Sequence, residues 1–143
     1  MIYVGIDCGE HTGLAVWDST RKTFLRVETT QLHLALATVL EYHKASTVEE
    51  PLAIVFEDAR QRKWFARESN ASEYRGKLMG AGAVKRDAKI WEEFCHYYGI
   101  PYQAVAPRKG MTKWDPEYFA TVTGWKGRTS EHARDAALLV FQR

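Results

Sequence analysis

A chain of 143 residues that is 45% hydrophobic and 27% charged fits one domain with a substantial core, and its composition is that of an ordinary globular protein. A net charge of +2 gives no bulk signal for nucleic acid, and no stretch approaches the roughly 20 apolar residues that span a bilayer, so no membrane association is expected. Cys8 and Cys95 lie in apolar surroundings without CxxC spacing, which points to buried thiols in a reducing compartment and away from a disulfide or a zinc site. Asp7 interrupts the first apolar run too early for a signal peptide, and a cytoplasmic location is expected.

In chain order, residues 2–7, 13–18 and 23–28 read as three short strands whose close spacing predicts an antiparallel meander. Thr30 is placed to cap a helix running to about residue 44, with Leu32, Leu36, Val39 and Leu40 at helical spacing. Pro51 breaks the chain before a strand at 52–57 that is apolar at nearly every position, the pattern of a strand covered on both faces. A polar, basic stretch from 58 to about 72 leads into a long helix ending at Tyr98. Gly99 and Pro101 supply its stop, and Ala81, Val84, Ala88, Trp91, Cys95 and Tyr98 form its apolar stripe. A fifth strand at 102–105, a short helix around 116–122 and a last helix at 131–142, capped by Ser130, complete one α/β domain.

The chemistry-bearing residues fall at the ends of these elements. Asp7 closes the first apolar strand, Glu57 closes the fourth, and His132 and Asp135 stand three apart on one face of the last helix. Acids at the ends of two buried strands, with an imidazole and a third carboxylate, form a donor set suited to Mg2+ or Mn2+. Metal-assisted phosphodiester hydrolysis is therefore the leading expectation. Asp7, with Gly9 and Gly13 around it, could instead serve only a hairpin turn. A Gly-Ile-Asp-x-Gly opening also occurs in sugar kinase and actin-like ATPases, but 143 residues are expected to be too few for the two such domains those enzymes use. Glu57 follows five apolar residues, where an unpartnered charge would be costly. Its neighbour Asp58 points the other way and is expected to meet solvent or an arginine. His132 and Asp135 could merely bond each other on an exposed helix, yet the surrounding Ala133, Ala136, Ala137, Leu138 and Val140 mark that helix as packed. Glu131 reads as peripheral and His11 as a minor candidate.

Charge is unevenly distributed. Between positions 60 and 89 the cations Arg60, Arg62, Lys63, Arg67, Arg75, Lys77, Lys85, Arg86 and Lys89 face only Glu68, Glu73 and Asp87. Trp64 and Phe65 within this stretch could stack on unpaired bases, or could be core residues where the loop meets the long helix. Arg108, Lys109 and Lys113 form a second basic group. On the long helix, Gly76, Gly80 and Gly82 would permit close approach of a second copy.

These segments together resemble the RuvC-type Holliday junction resolvases, in order and over essentially the whole chain: Val4-Gly5-Ile6-Asp7-Cys8-Gly9 with Thr12-Gly13-Leu14-Ala15-Val16, then Ala53-Ile54-Val55-Phe56-Glu57, the Gly76 to Val84 region, and Glu131-His132-Ala133-Arg134-Asp135-Ala136-Ala137. The resemblance implies a ribonuclease H-like fold with a five-stranded mixed sheet flanked by helices, a meander plus two parallel strands. It implies a homodimer that binds a four-way DNA junction and nicks it symmetrically, with two divalent ions per active site. Asp7 and Glu57 match the acids of the first and fourth strands, and His132 and Asp135 match the paired ligands of the last helix. Lys109 and Lys113 resemble the lysines such enzymes place beside the site, and Arg60, Arg62, Lys63, Trp64, Phe65, Arg67, Arg75 and Lys77 are the expected DNA contacts. The chain departs in carrying Cys8 where the family usually has Pro, and in its aromatic residues after Glu57. The alternatives are a ribonuclease H-like nuclease acting on another branched or hybrid substrate, and a nucleic-acid-binding module that does not cut.

Overall fold

Alternation along the strands divides the apolar residues between two faces of one sheet, and each face is covered by helices. The computed structural model describes residues 1–62, 71–107 and 113–143, with backbone alone for 71–75 and 77. Its strands are β1 (Ile2–Asp7), β2 (Thr12–Asp18), β3 (Thr23–Thr30), β4 (Leu52–Glu57) and β5 (Tyr102–Val105). They pair in the order β3-β2-β1-β4-β5. β1, β2 and β3 form an antiparallel meander, while β4 runs parallel to β1 and β5 parallel to β4. This is the mixed sheet the sequence predicts.

The helices are α1 (Leu32–Ala45), α2 (Ala71–Tyr98), α3 (Pro116–Thr123) and α4 (Glu131–Leu138). On one face Val4, Ile6, Ile54 and Phe56 pack with Ala35 and Val39 of α1 and with Ala88, Trp91 and Cys95 of α2. On the other, Ala15, Trp17, Phe24 and Val55 pack with Phe119 of α3 and with Ala133, Ala136 and Ala137 of α4. Both cysteines are buried and free, as expected.

Two expectations at element ends are corrected. Thr30 does not cap α1: it pairs with Thr12 at the end of the β2–β3 ladder, and Gln31 occupies the N-cap without a side-chain bond. The last helix stops at Leu138 and not at residue 142. Its final turn tightens into i to i+3 bonds, Leu139 N–H to Ala136 and Val140 N–H to Ala137, before Gln142 adopts φ +61°. Ser130 caps α4 as expected, its hydroxyl accepting from the Ala133 N–H.

Candidate active site

Parity decides which face the strand-end acids occupy. Val4, Ile6, Ile54 and Phe56 point toward α1 and α2, so Asp7 and Glu57, one residue further on, belong to the opposite face, over which α4 lies. β1 and β4 are parallel neighbours, so both acids sit at the same end of the sheet.

α4 reaches that end because two sheet positions have no side chain. A Cβ at Gly5 would lie 2.1 Å from the Ala136 carbonyl oxygen, and one at Gly13 would lie 2.0 Å from the His132 carbonyl oxygen. Gly13 is also the ladder partner of Asp7. With Ala133, Ala136 and Ala137 on the helix side, backbone rests almost directly on backbone, and His132 is delivered over Asp7. Gly13 is thus a docking position for α4, a role beyond the hairpin.

Asp7, Glu57, His132 and Asp135 line a single open cavity of about 390 Å³, together with Cys8, Arg62 and Lys113. His132 Nδ1 and Asp7 Oδ2 are 2.8 Å apart. His132 therefore bonds across the fold and not to Asp135 on its own helix. Asp135 instead accepts from Lys113 Nζ at 3.2 Å, and the same ammonium bonds Glu131. Burial pushes the Asp7 carboxyl above its ordinary range, partly offset by the hydrogen bond and charge of His132. Burial and the charge of Asp7 raise Glu57, with Arg62 opposing. The Cys8 thiol is pushed far up, by burial first and then by the Asp7 charge, so it is a poor nucleophile. The His11 ring, in the turn after β1, lies 6.4 Å from that of His132.

Three carboxylates and an imidazole facing one opening are a donor set appropriate to Mg2+ or Mn2+. Among the described residues, no three His, Cys, Asp or Glu side chains are gathered tightly enough to enclose an ion. His132 is turned onto Asp7 and Asp135 onto Lys113. The residues fit a metal by donor chemistry and by location at one cavity.

The expected nucleic-acid contacts divide into groups. Arg62 and Lys113 line the cavity. Arg60 is not among the residues lining that cavity: it bonds both oxygens of Asp58, at 2.8 and 2.9 Å, and Glu92 of α2 at 2.8 Å, stapling the 3-10 turn Ala59–Gln61 to that helix. Asp58 thereby meets an arginine, as expected; burial raises its carboxyl, but the Arg60 bonds outweigh burial and hold it below its usual range. Arg75 and Lys77 lie on the backbone of α2. Lys63, Trp64, Phe65, Arg67, Arg108 and Lys109 fall outside the described residues. Sequence reasoning set Glu131 aside as peripheral, and it passed over Arg134 and the docking roles of Gly5 and Gly13. The signal for Arg134 was present, as a charged residue inside an alanine-rich helical face.

A five-stranded mixed sheet in this order, flanked by helices, is the ribonuclease H-like fold. No protein-family model matches the chain, and no curated protein matches it. Among solved structures, it is similar to T. thermophilus RuvC in complex with a Holliday junction substrate, with a TM-score of 0.56 and 20% sequence identity over 99% of this chain and 92% of that chain. That likeness shows a RuvC-like fold over essentially the whole length.

Proposed function

We propose that this chain is a divalent-metal-dependent endonuclease that resolves four-way DNA junctions as a homodimer, making two symmetric nicks. The observation that carries the reading is the convergence of Asp7, Glu57, His132 and Asp135 on one cavity of a ribonuclease H-like sheet, beside Lys113 and Arg62. The RuvC relative of the same fold is solved with a Holliday junction, which supports branched DNA as the substrate.

Asp7, Glu57, His132 and Asp135 would hold the ions, Mg2+ or Mn2+, two per site. Bound there, such ions lower the pKa of an attacking water and stabilise the leaving 3′ oxygen. Asp7 also fixes the orientation of the His132 ring through its bond to Nδ1. Lys113 and Arg62 bring positive charge to the place where a scissile phosphate would sit. With Cys8 buried and its thiol protonated, direct attack by water is favoured over a covalent intermediate.

α2 supports the dimer. Its buried Trp91 and Cys95 are used by the chain's own core. Around Gly76, Gly80 and Gly82, by contrast, a Cβ would meet no described residue within 4 Å, and Leu78 and Met79 are 47% and 79% exposed. That segment is the face we assign to the second copy.

Cleavage of a synthetic junction, a flap, an RNA–DNA hybrid and a plain duplex at one salt concentration, with Mg2+ or Mn2+, tests the proposal. The junction should be cut preferentially, and a cruciform plasmid should be linearised by paired nicks. Asp7→Asn should reduce cleavage well beyond the ~10–100-fold typical of losing an outer-shell partner, while junction affinity stays within a few-fold. Full activity in that variant would sink the site assignment. Preference for hybrid or flap would reassign the substrate, and binding without cutting would make this a binding module.

A further inference from the structure

Arg134 is 9% exposed, on a helix otherwise packed through alanines. A guanidinium in such a place is costly unless its donors are matched. Among the described residues, the bonds from its Nε and Nη1 serve one stretch of chain, the one joining Lys113 to α4. Nε donates to the Trp114 carbonyl at 2.7 Å, while Nη1 donates to the Thr129 carbonyl at 3.0 Å and to its hydroxyl at 3.1 Å. Arg134 thus ties both ends of the 114–129 segment to the helix that carries His132 and Asp135. The Trp114 carbonyl is one residue from Lys113, whose ammonium is received by Glu131 and Asp135 of that same helix. α4 therefore grips Lys113 twice, by the adjoining backbone through Arg134 and by the head group through Glu131 and Asp135.

We infer that Arg134 is a positioning residue: through the Trp114 carbonyl it sets Lys113 beside the carboxylate cluster, so that α4 presents both the ligating side chains and the cation that faces the phosphate. The importance of this placement for cleavage rests on the nuclease reading above; the placement itself does not.

Two measurements on the full chain separate these. Carbodiimide treatment without DNA or divalent ion converts a contacting lysine and carboxylate to an amide. Mass spectrometry should find Lys113 joined to Glu131 or Asp135. Arg134→Leu should reduce that product about tenfold, equivalent to about 1.4 kcal/mol of lost positioning. Arg134→Lys, which keeps the charge but cannot reach both Trp114 and Thr129, should fall between, and it carries the test if the leucine variant melts below the assay temperature. In the cleavage assay Arg134→Leu should slow nicking about 10–100-fold. The same change should add nothing once Lys113 is already alanine, because the two act as one unit. An unchanged cross-link in both Arg134 variants overturns the inference, as do fully additive losses. If wild type cuts no branched DNA, the nuclease reading fails while the cross-link still decides the placement.

Discussion

Asp7 meets two opposing demands. In the proposed role it must be ionised to ligate a cation, yet burial favours its protonated form, and Glu57 beside it is raised for the same reason and by the Asp7 charge. A carboxyl whose folded pKa lies above its unfolded value favours folding fully below the unfolded pKa, about 4, and loses that contribution as pH rises through the folded value. At neutral pH and without divalent ions, the ionised pair therefore works against the fold. Asp7→Asn is expected to raise the melting temperature by roughly 2–4 °C at pH 7, and the gain should shrink as pH falls toward 4. Adding Mn2+ or Mg2+ should reverse the order. The ion stabilises wild type by about 2.7 kcal/mol at a hundred times its dissociation constant, whereas the variant, short of a ligand, gains little. Melting curves at pH 4, 5.5 and 7, each with and without Mn2+, check both signs. An asparagine variant less stable than wild type at pH 7 without metal would show that the His132 bond outweighs burial.

At the scale of elements, the site depends on how closely α4 approaches the sheet. Gly5 and Gly13 remove the side chains that would hold the helix away, and the alanines of α4 remove those on its side. Gly13→Ala places a Cβ against the His132 carbonyl and 3.1 Å from the Asp7 Cβ, so it strains the dock and the ligand pair together. Overpacking of this kind typically costs about 1–3 kcal/mol. The expected result is a melting temperature several degrees lower, with a larger loss of cleavage than of stability, because ligand geometry tolerates less displacement than packing does. Gly9 is the matched control. It lies in the turn leading into β2, its Cβ would meet no described residue within 4 Å, and Gly9→Ala should stay within about 0.5 kcal/mol of wild type. Equal damage from both substitutions would mean that the turn, and not the helix dock, is what Gly13 serves.

Over the whole molecule, a net charge of +2 conceals a strongly polarised chain, with nine cations against three acids between positions 60 and 89. The arginines of that stretch have distinct uses. Arg60 is consumed by its staple to Asp58 and Glu92, whereas Arg62 faces the cavity. Salt titration of junction binding can separate the two uses. Replacing Lys63 and Arg67 by alanine should lower the slope of log affinity against log salt by up to about 0.9 per lost phosphate contact. Arg60→Ala should lower the melting temperature and leave the slope nearly intact. A slope that falls with Arg60→Ala as far as with Lys63→Ala would return Arg60 to the nucleic-acid surface.

The amino-acid sequence by itself determined the element order, the strand ends at Asp7 and Glu57, the capping of α4 by Ser130 and the shared helical face of His132 and Asp135. Each follows from local physics: apolar runs, two-residue and helical periodicity, and the chemistry of turns and caps. It also picked out Asp7, Glu57, His132 and Asp135, which the structure brings to one cavity, because hard oxygen ligands have a recognisable type. The partners were decided only by the tertiary structure. His132 meets Asp7, 125 residues away, and Asp135 meets Lys113. Arg60 turns inward to Asp58 and Glu92, and buried Arg134 takes hold of the segment beside Lys113. Such pairings depend on which strands lie side by side and how near a helix can come to them. Gly5 and Gly13 set that closeness, and a glycine's role as an empty space becomes visible only when the backbone that fills it is in place.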